Sequence, residues 1–525
     1  MKKKRKFTKI YIILALFISI GFAYLSTNLS INGTSTFNKA TWNVYFDNIE
    51  VDSGSVELQS GDIAPTISND KLTVSYQVTC NKPGEYYKFN IDVVNDGSLN
   101  AKIDSISIPQ IPEGYENNIE FSLKYLDGTT VEEGNVLLAG EKTTFVITTK
   151  NRDDISADQL ISEALTLPMS VSISYTQIKS SDITTATFKT GWEVSTLMND
   201  LSVKIDESIP HIGYGNNIIS FQRSATLSNN TNIISTEDSD VPIYMWYEES
   251  EELYLDDSYY YNTGNYNEET GELYYIHYGN IYWYSEAQVV YFNEDSSFFF
   301  NHDWYEYGHY LDEDYEMTEE ESNDSYNFAY LEDISGIIQI KTSKVHNMAN
   351  MFDSCCSLSD YSLLNSWDVS NVTDMSNMFV YNTSVKTISH LSNWDVSNVT
   401  NMSFMFFDMI SLDDLSPLEE WNTENVTNMT NMFAYVSMTN LNGLSNWNVS
   451  NVTNMSGMFE YSGLTDATAL GNWDVSNVTN MSWMFACRSL TDATALENWD
   501  VSNVTDMSYM FKNTPSSLVK PSWYS

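Results

Sequence analysis

The chain has 525 residues and carries 71 Asp and Glu against 25 Lys and Arg, a formal net charge of −46 at pH 7. That balance disfavours binding to nucleic acid, or to an anionic membrane, through a basic patch. The length suffices for three or four domains, and four cysteines are few for a chain of this size.

The N-terminus is the exception to the acidic balance. Lys2, Lys3, Lys4, Arg5, Lys6 and Lys9 precede an apolar run from Ile10 to Leu25. A basic head followed by a run of this length fits a secretory signal better than a full membrane span. Gly21-Phe22-Ala23 offers a small-x-small cleavage site between Ala23 and Tyr24, with an uncleaved anchor as the alternative. In both cases residues 1–27 are the only membrane contact expected. The body of the protein is then extracellular, either secreted or held at the cell surface.

Residues 28–180 read as all-β, a sandwich of short alternating runs such as Tyr87–Val94, Ile103–Ile108, Thr143–Thr149 and Ser170–Tyr175, separated by Gly, Pro and Asn turns. Residues 181–330 form an acidic, Tyr-rich connecting module, in which no Lys or Arg occurs from Ala225 to Ile340. Uniform negative charge there argues for solvated loops near 250–280 and 301–327, with a Tyr-rich contact surface as the alternative. β-Structure is expected in the rest of this module, because a stack of repeats needs its first exposed turn covered.

Residues 331–525 are repetitive. Six copies of one phrase start at Trp367, Trp394, Trp421, Trp447, Trp473 and Trp499, a period of 26 or 27 residues. An eroded seventh copy precedes them, with Ile340 in the Trp slot and Val345, Met348, Met351 and Phe352 in register. Such a period marks stacked units that share one core. Counting each Trp as zero, apolar residues recur at +2, +5, +8, +11 and +12, with Leu always at −3. The zero and +2 slots suit an extended stretch. The +8, +11 and +12 slots suit a helical turn, with Thr at +6 as its N-cap (Thr373 through Thr505). The invariant Asn at +4 (Asn371 through Asn503) is expected to satisfy backbone groups at a bend, which makes its Asn-Val-Thr triplet structural rather than a glycosylation acceptor. Cys355 and Cys487 share one slot five repeats apart, too far for a disulfide, and read as small buried thiols. The closing "KPSWYS" reads as a cap, with Trp523 ending the stack.

Two resemblances follow from these residues. The phrase "WDVSNVTNMSxMF" at this period resembles the BspA-type leucine-rich-repeat surface proteins, over about residues 340–525. "FKTGWEV" at 188–194, "PIYMWY" at 242–247 and "IYWYSEAQVVYFNEDSSFFF" at 281–300 are similar to the segment that often leads into such repeats. "AYLST" at 23–27 and "KPGEYYKFNIDVVNDGSLNAKI" at 82–103 resemble the TasA/camelysin group of secreted β-sandwiches with SipW-type signals. The first resemblance implies an extracellular, solenoidal, non-enzymatic protein of adhesion or surface contact. The second implies cleavage after Ala23 and fibre assembly by strand donation.

Catalytic signatures are missing: there is no HExxH, no GxSxG and no phosphate loop. His302-Asp303-x-x-Glu306-x-x-His309 has metal-ligand spacing but lies in an acidic insertion, and reads as an exposed turn. A carboxylate row at +1 (Asp368, Asp395, Asp474, Asp500) is interrupted by Asn422 and Asn448, and reads as solvent-facing charge rather than a Ca²⁺ ladder. No metal or other cofactor is expected. The paired methionines read as core.

Contact residues are sought where the repeat varies. Slot +10 holds Asn377, Phe404, Asn431, Gly457, Trp483 and Tyr509, and slots +13 and +14 add Phe407, Tyr381, Tyr435 and Tyr461. These are expected to project along one edge as a binding face. The reading is a mainly β protein with short helical turns, an N-terminal β-sandwich and a C-terminal leucine-rich-repeat-like solenoid. It is expected to bind a protein or other surface ligand and not nucleic acid; the alternative is a matrix-fibre subunit assembled through the sandwich.

Overall fold

The computed structural model describes residues 41–111, 115–126, 128–154, 165–202, 218–250, 279–302, 326–327, 330–439 and 441–524. The signal segment with Ala23 and Tyr24, most of both Tyr-rich insertions and the Asp303–His309 stretch lie outside these residues. The fold is mainly β, with several sheets and few helices.

Among the described residues nine strands come first: β1 (Val44–Val51), β2 (Ile63–Ile67), β3 (Thr73–Cys80), β4 (Tyr86–Asn95), β5 (Ala101–Ser107), β6 (Ile119–Tyr125), β7 (Val136–Leu137), β8 (Lys142–Asn151) and β9 (Leu165–Gln177). They pair antiparallel in two sheets, ordered β1-β4-β8-β6 and β2-β3-β9-β5-β7. Alternation explains the faces. On β4, Tyr87, Phe89, Ile91 and Val93 turn into a core that also receives Val74, Val78, Val171 and Ile173 from the second sheet. Tyr76 ties the two sheets together: its ring meets Phe89 edge-on at 5.1 Å, and its hydroxyl lies 2.7 Å from that of Thr149.

The connecting module contains β10 (Thr185–Thr187), β11 (Ile218–Arg223), β12 (Asn232–Ile233), β13 (Ile243–Glu249), β14 (Gly279–Ser285) and β15 (Val289–Tyr291), and a pair of two-residue strands, β16 (Asn301–His302) and β17 (Tyr326–Asn327). It also holds an α-helix the strand pattern did not anticipate, α1 (Gly191–Leu201). Thr190 and Glu193 close a reciprocal capping box at its start. Val194 and Met198 are buried, with Leu197 and Leu201 packed against the same core. A Cβ at Gly191 would overlap the Ser297 carbonyl, so only glycine lets this helix start so close to the first coil. β10, β15 and β18 (Ile340–Lys341) run parallel and carry the module into the repeats.

Successive repeats lie side by side, joined by parallel single-residue bridges at slot +7: Asn347 to Asp374, then Asn401, Asn428, Asn454, Asn480 and Asp506. Each Trp of the six copies is buried, and from Trp394 onward each donates its Nε1–H to the carbonyl of the −3 Leu one coil earlier. Trp394 reaches Leu364 at 3.0 Å, Trp447 reaches Leu418 at 2.9 Å, and Trp523 repeats the bond to Leu496 at 2.9 Å. Trp367, first in the series, keeps a buried Nε1 without a partner. The +12 phenyl rings form a column through Phe352, Phe379, Phe406, Phe433, Phe459, Phe485 and Phe511, with neighbouring centroids 5.5–6.1 Å apart. No single coil could bury its own aromatic set; the neighbour on each side supplies the dry contact.

The helical turn expected at +8 to +12 is not there. That segment is two successive tight turns. The first is closed in every copy by the +11 amide on the +8 carbonyl, as in Met378 to Met375, and the second by the +15 amide on the +12 carbonyl in the Trp367, Trp394 and Trp447 copies, as in Met409 to Phe406. Amides at +8, +10, +12 and +14 are thereby freed to donate to the next coil, as Met402 to Asn428, Phe404 to Thr430, Phe406 to Met432 and Asp408 to Ala434. The helical turns sit elsewhere, as single 3₁₀ turns ending at the −3 Leu (Ser389–Leu391, Ser416–Leu418, Asn442–Leu444). Thr at +6 caps no helix. Its Oγ1 donates to the carbonyl of the same slot one coil earlier, as Thr400 to Thr373 and Thr427 to Thr400, both at 3.1 Å. Asn at +4 likewise spans coils, with Asn398 Nδ2 on Ser370 O and Asn425 Nδ2 on Ser397 O, both at 2.7 Å.

A further coil precedes the first readable one. Asp295 bridges Asn347 in parallel, and the amides of Ser296, Phe298 and Phe300 donate to Asn347, Ala349 and Met351. Phe300 adds an eighth ring to the column, 5.4 Å from Phe352.

Candidate contact surface

The variable slots fall on one edge, and their backbone is unusual. Phe404, Trp483 and Tyr509 at +10, and Tyr381, Tyr435 and Tyr461 at +14, all have φ between +50° and +61°. The cause is the pair of tight turns, each of which needs positive φ at its third residue. Asn377, Asn431 and Gly457 in the same slots suit this region; bulky aromatic residues do not, at about 1–2 kcal/mol each. At Gly457 the choice is further fixed, because a Cβ would overlap Asn431 Oδ1.

The rings pack on one another across coils instead of standing alone. Phe407 lies 5.7 Å from Tyr381, 5.6 Å from Phe404 and 5.3 Å from Tyr435, and Tyr435 stacks on Tyr461 at 5.0 Å. A second group follows, Trp483 and Tyr509, with centroids 4.7 Å apart. The expected edge is thus made of rings that lean on one another. Only Tyr435 (40 %) and Tyr509 (56 %) are among the exposed large side chains, while Tyr381, Phe404, Phe407, Tyr461 and Trp483 are half-buried against their neighbours.

Three charged groups that the repeat alignment did not single out complete the edge. Lys512 at +13 places its ammonium over both Trp483 (4.4 Å) and Tyr509 (4.5 Å). Glu460 at +13 is half-buried, and desolvation pushes its carboxyl up to about 7, with Lys512 pulling the other way. Burial also raises Asp408 at +14. The Tyr435 phenol is raised first by burial and then by Glu460, Tyr461 and Asp408. Asp408 fills the slot of Tyr435 one coil earlier, and the Tyr435 amide donates to the Glu460 carbonyl one coil later. A comparison of the varying +13 and +14 slots for charge as well as for aromatics would have found them.

Residues 323–442 and 431–521 match a family model described as Mycoplasma protein of unknown function, DUF285. The match spans the repeats and leaves the chain before residue 323 outside it. No curated protein and no solved structure matches the chain.

Other sequence candidates resolve as local structure. The +1 row accepts the +3 backbone amide, Asp368 from Ser370 and Asn448 from Ser450, both at 3.1 Å; Asn serves as well as Asp, which explains the alternation. Among the described residues no three His, Cys, Asp or Glu side chains are grouped to hold a metal ion, and no helix is long and apolar enough to cross a membrane. Cys355 and Cys487 are buried free thiols, and burial raises Cys487 to about 12. His390, stacked on Tyr361, is pushed down to about 4 by burial and stays neutral at pH 7. A cleft of about 570 Å³ lies between the nine-strand unit and the first coils, and two of its lysines are held in ion pairs, Lys142 with Asp92 at 3.2 Å and Lys341 with Glu141 at 2.7 Å.

Proposed function

We propose that this chain is a non-enzymatic binding protein of the cell surface or the extracellular space. In this reading the stacked copies are a leucine-rich-repeat-like solenoid of the BspA type, the nine-strand unit is a β-sandwich, and the solenoid edge bearing Tyr381, Phe404, Phe407, Tyr435, Tyr461, Trp483 and Tyr509 meets a macromolecular partner. One observation carries the reading: six aromatic side chains occupy positive-φ slots where Asn or Gly fits without strain. Backbone cost retained along one edge marks a surface kept for contact, since aromatics are the residues that most often anchor interfaces. The repeat period, the basic head with its apolar run, and the match of the repeats to DUF285 support the same reading.

The test is retention of cells displaying the full chain on surfaces coated with serum protein or with mucin. Phe404→Ser with Trp483→Ser is expected to leave the far-ultraviolet spectrum unchanged and to cut retention by roughly tenfold or more, the scale of losing central aromatic anchors. Unchanged retention on every coating to which the parent chain adheres removes this edge as the contact surface.

A further inference from the structure

We propose that the partner seated on this edge presents lysine or arginine side chains, and that Tyr435 and Tyr461 with Asp408 and Glu460 form a cation-receiving unit. The inference rests on the reading of the edge as a contact surface and names the chemistry it recognises.

The edge already displays the interaction once within the chain. Lys512 sits over the faces of Trp483 and Tyr509, at 4.4 and 4.5 Å. An ammonium over two electron-rich faces is attracted by both ring quadrupoles. Toward the N-terminus of the stack, Tyr435 and Tyr461 make an equivalent pair, with centroids 5.0 Å apart and an interplanar angle of 30°. Two carboxylates flank this pair in the stack: Asp408, in the slot of Tyr435 one coil earlier, and Glu460, next to Tyr461 and accepting the Tyr435 amide at its carbonyl. Among the described residues neither has a cation within 4.0 Å, and Lys512 acts on Glu460 from beyond that distance. Half-buried carboxylates beside stacked phenols are costly for the free chain and become favourable once a positive group neutralises them.

Charge complementarity selects the same occupant. A chain of net charge −46 repels acidic partners and steers basic ones toward it at long range. The aromatic–carboxylate unit then supplies the short-range selection that bulk charge lacks. Adjacent coils place rings 5 to 6 Å apart along the edge, which fits an extended basic segment laid along the stack.

The experiment uses the full chain at physiological salt, with fluorescein-labelled decalysine as probe and decaglutamate, a Gly-Ser decapeptide and cellohexaose as comparisons. Asp408→Asn with Glu460→Gln removes two charges while keeping shape, and is expected to weaken decalysine binding about tenfold. Asp474→Asn with Asp500→Asn removes two charges from the +1 row and is expected to change it less than about twofold. Tyr435→Ser with Tyr461→Ser should match the first pair in effect. Equal losses in the two carboxylate pairs would reduce the effect to bulk charge and overturn the proposal. Cellohexaose or the neutral peptide binding in a Tyr435/Tyr461-dependent way, with decalysine indifferent to both site pairs, would keep the contact surface and overturn the cationic partner. No probe sensitive to the tyrosine pair would overturn both.

Discussion

Replacing Trp447 by Ala is expected to destabilise the chain by about 3–5 kcal/mol, the range for deleting a fully packed indole. The ring packs on the preceding coil, stacked nearly parallel on Trp421 at 6.2 Å and tilted against Phe433 at 6.2 Å, so the cavity would open at the centre of the stack. The loss also leaves the Leu418 carbonyl without its indole donor at 2.9 Å, worth about 1–3 kcal/mol when buried. Trp447→Phe separates the two terms, since it keeps most of the packing and forfeits the bond. Trp523 is only partly buried, so Trp523→Ala is expected to cost less than half as much. Denaturant unfolding of the full chain followed by circular dichroism measures all three. A Trp447→Ala loss below about 1 kcal/mol would mean the indole is not part of a shared dry interior.

Asn382→Val is expected to cost about 2–4 kcal/mol, although one more apolar side chain would ordinarily suit the interior. Asn382 is fully buried; its Oδ1 accepts the Tyr361 hydroxyl at 2.5 Å, and its Nδ2 donates to Phe352 O at 2.8 Å and Val380 O at 3.2 Å. The other copies explain the pairing. The slot of Tyr361 is Ile388, Leu415, Leu441, Ala467 and Ala493 elsewhere, and the slot of Asn382 is Met409, Val436, Ser462, Arg488 and Thr514. Only the coil with a phenol to satisfy carries the asparagine. Adding Tyr361→Leu to Asn382→Val is therefore expected to recover at least half the loss, because removing both partners leaves no orphaned hydroxyl. Strict additivity in a double-mutant cycle would contradict the pairing.

Period, core slots and the identity of the variable edge were legible in the sequence, because each follows from spacing alone. Backbone sign was not. A +8, +11, +12 apolar pattern fits one helical turn and equally fits two successive tight turns, and only the hydrogen bonds between coils decide. The same ambiguity turned Thr400 and its equivalents from a ladder into caps. The coil around Asp295 was hidden because Ser296 and Phe299 replace the two methionines, and because an insertion separates it from the regular period. Helix α1 did announce itself, through Thr190-x-x-Glu193 and the spacing of Val194, Leu197, Met198 and Leu201, inside a stretch expected to be β. At the contact edge, ring identities were readable, but Lys512 over Trp483 depends on which slots become vertical neighbours.

Amide hydrogen exchange on the full chain, resolved across residues 340–511, tests the stacking most directly. Interior copies are predicted to protect the +8, +10 and +12 amides, those of Met402, Phe404 and Phe406 among them, because each donates to the coil that follows. Exchange of these amides at the rate of an unfolded peptide in the Trp394, Trp421 and Trp447 copies would contradict a continuous stack, and with it the contact edge built upon it.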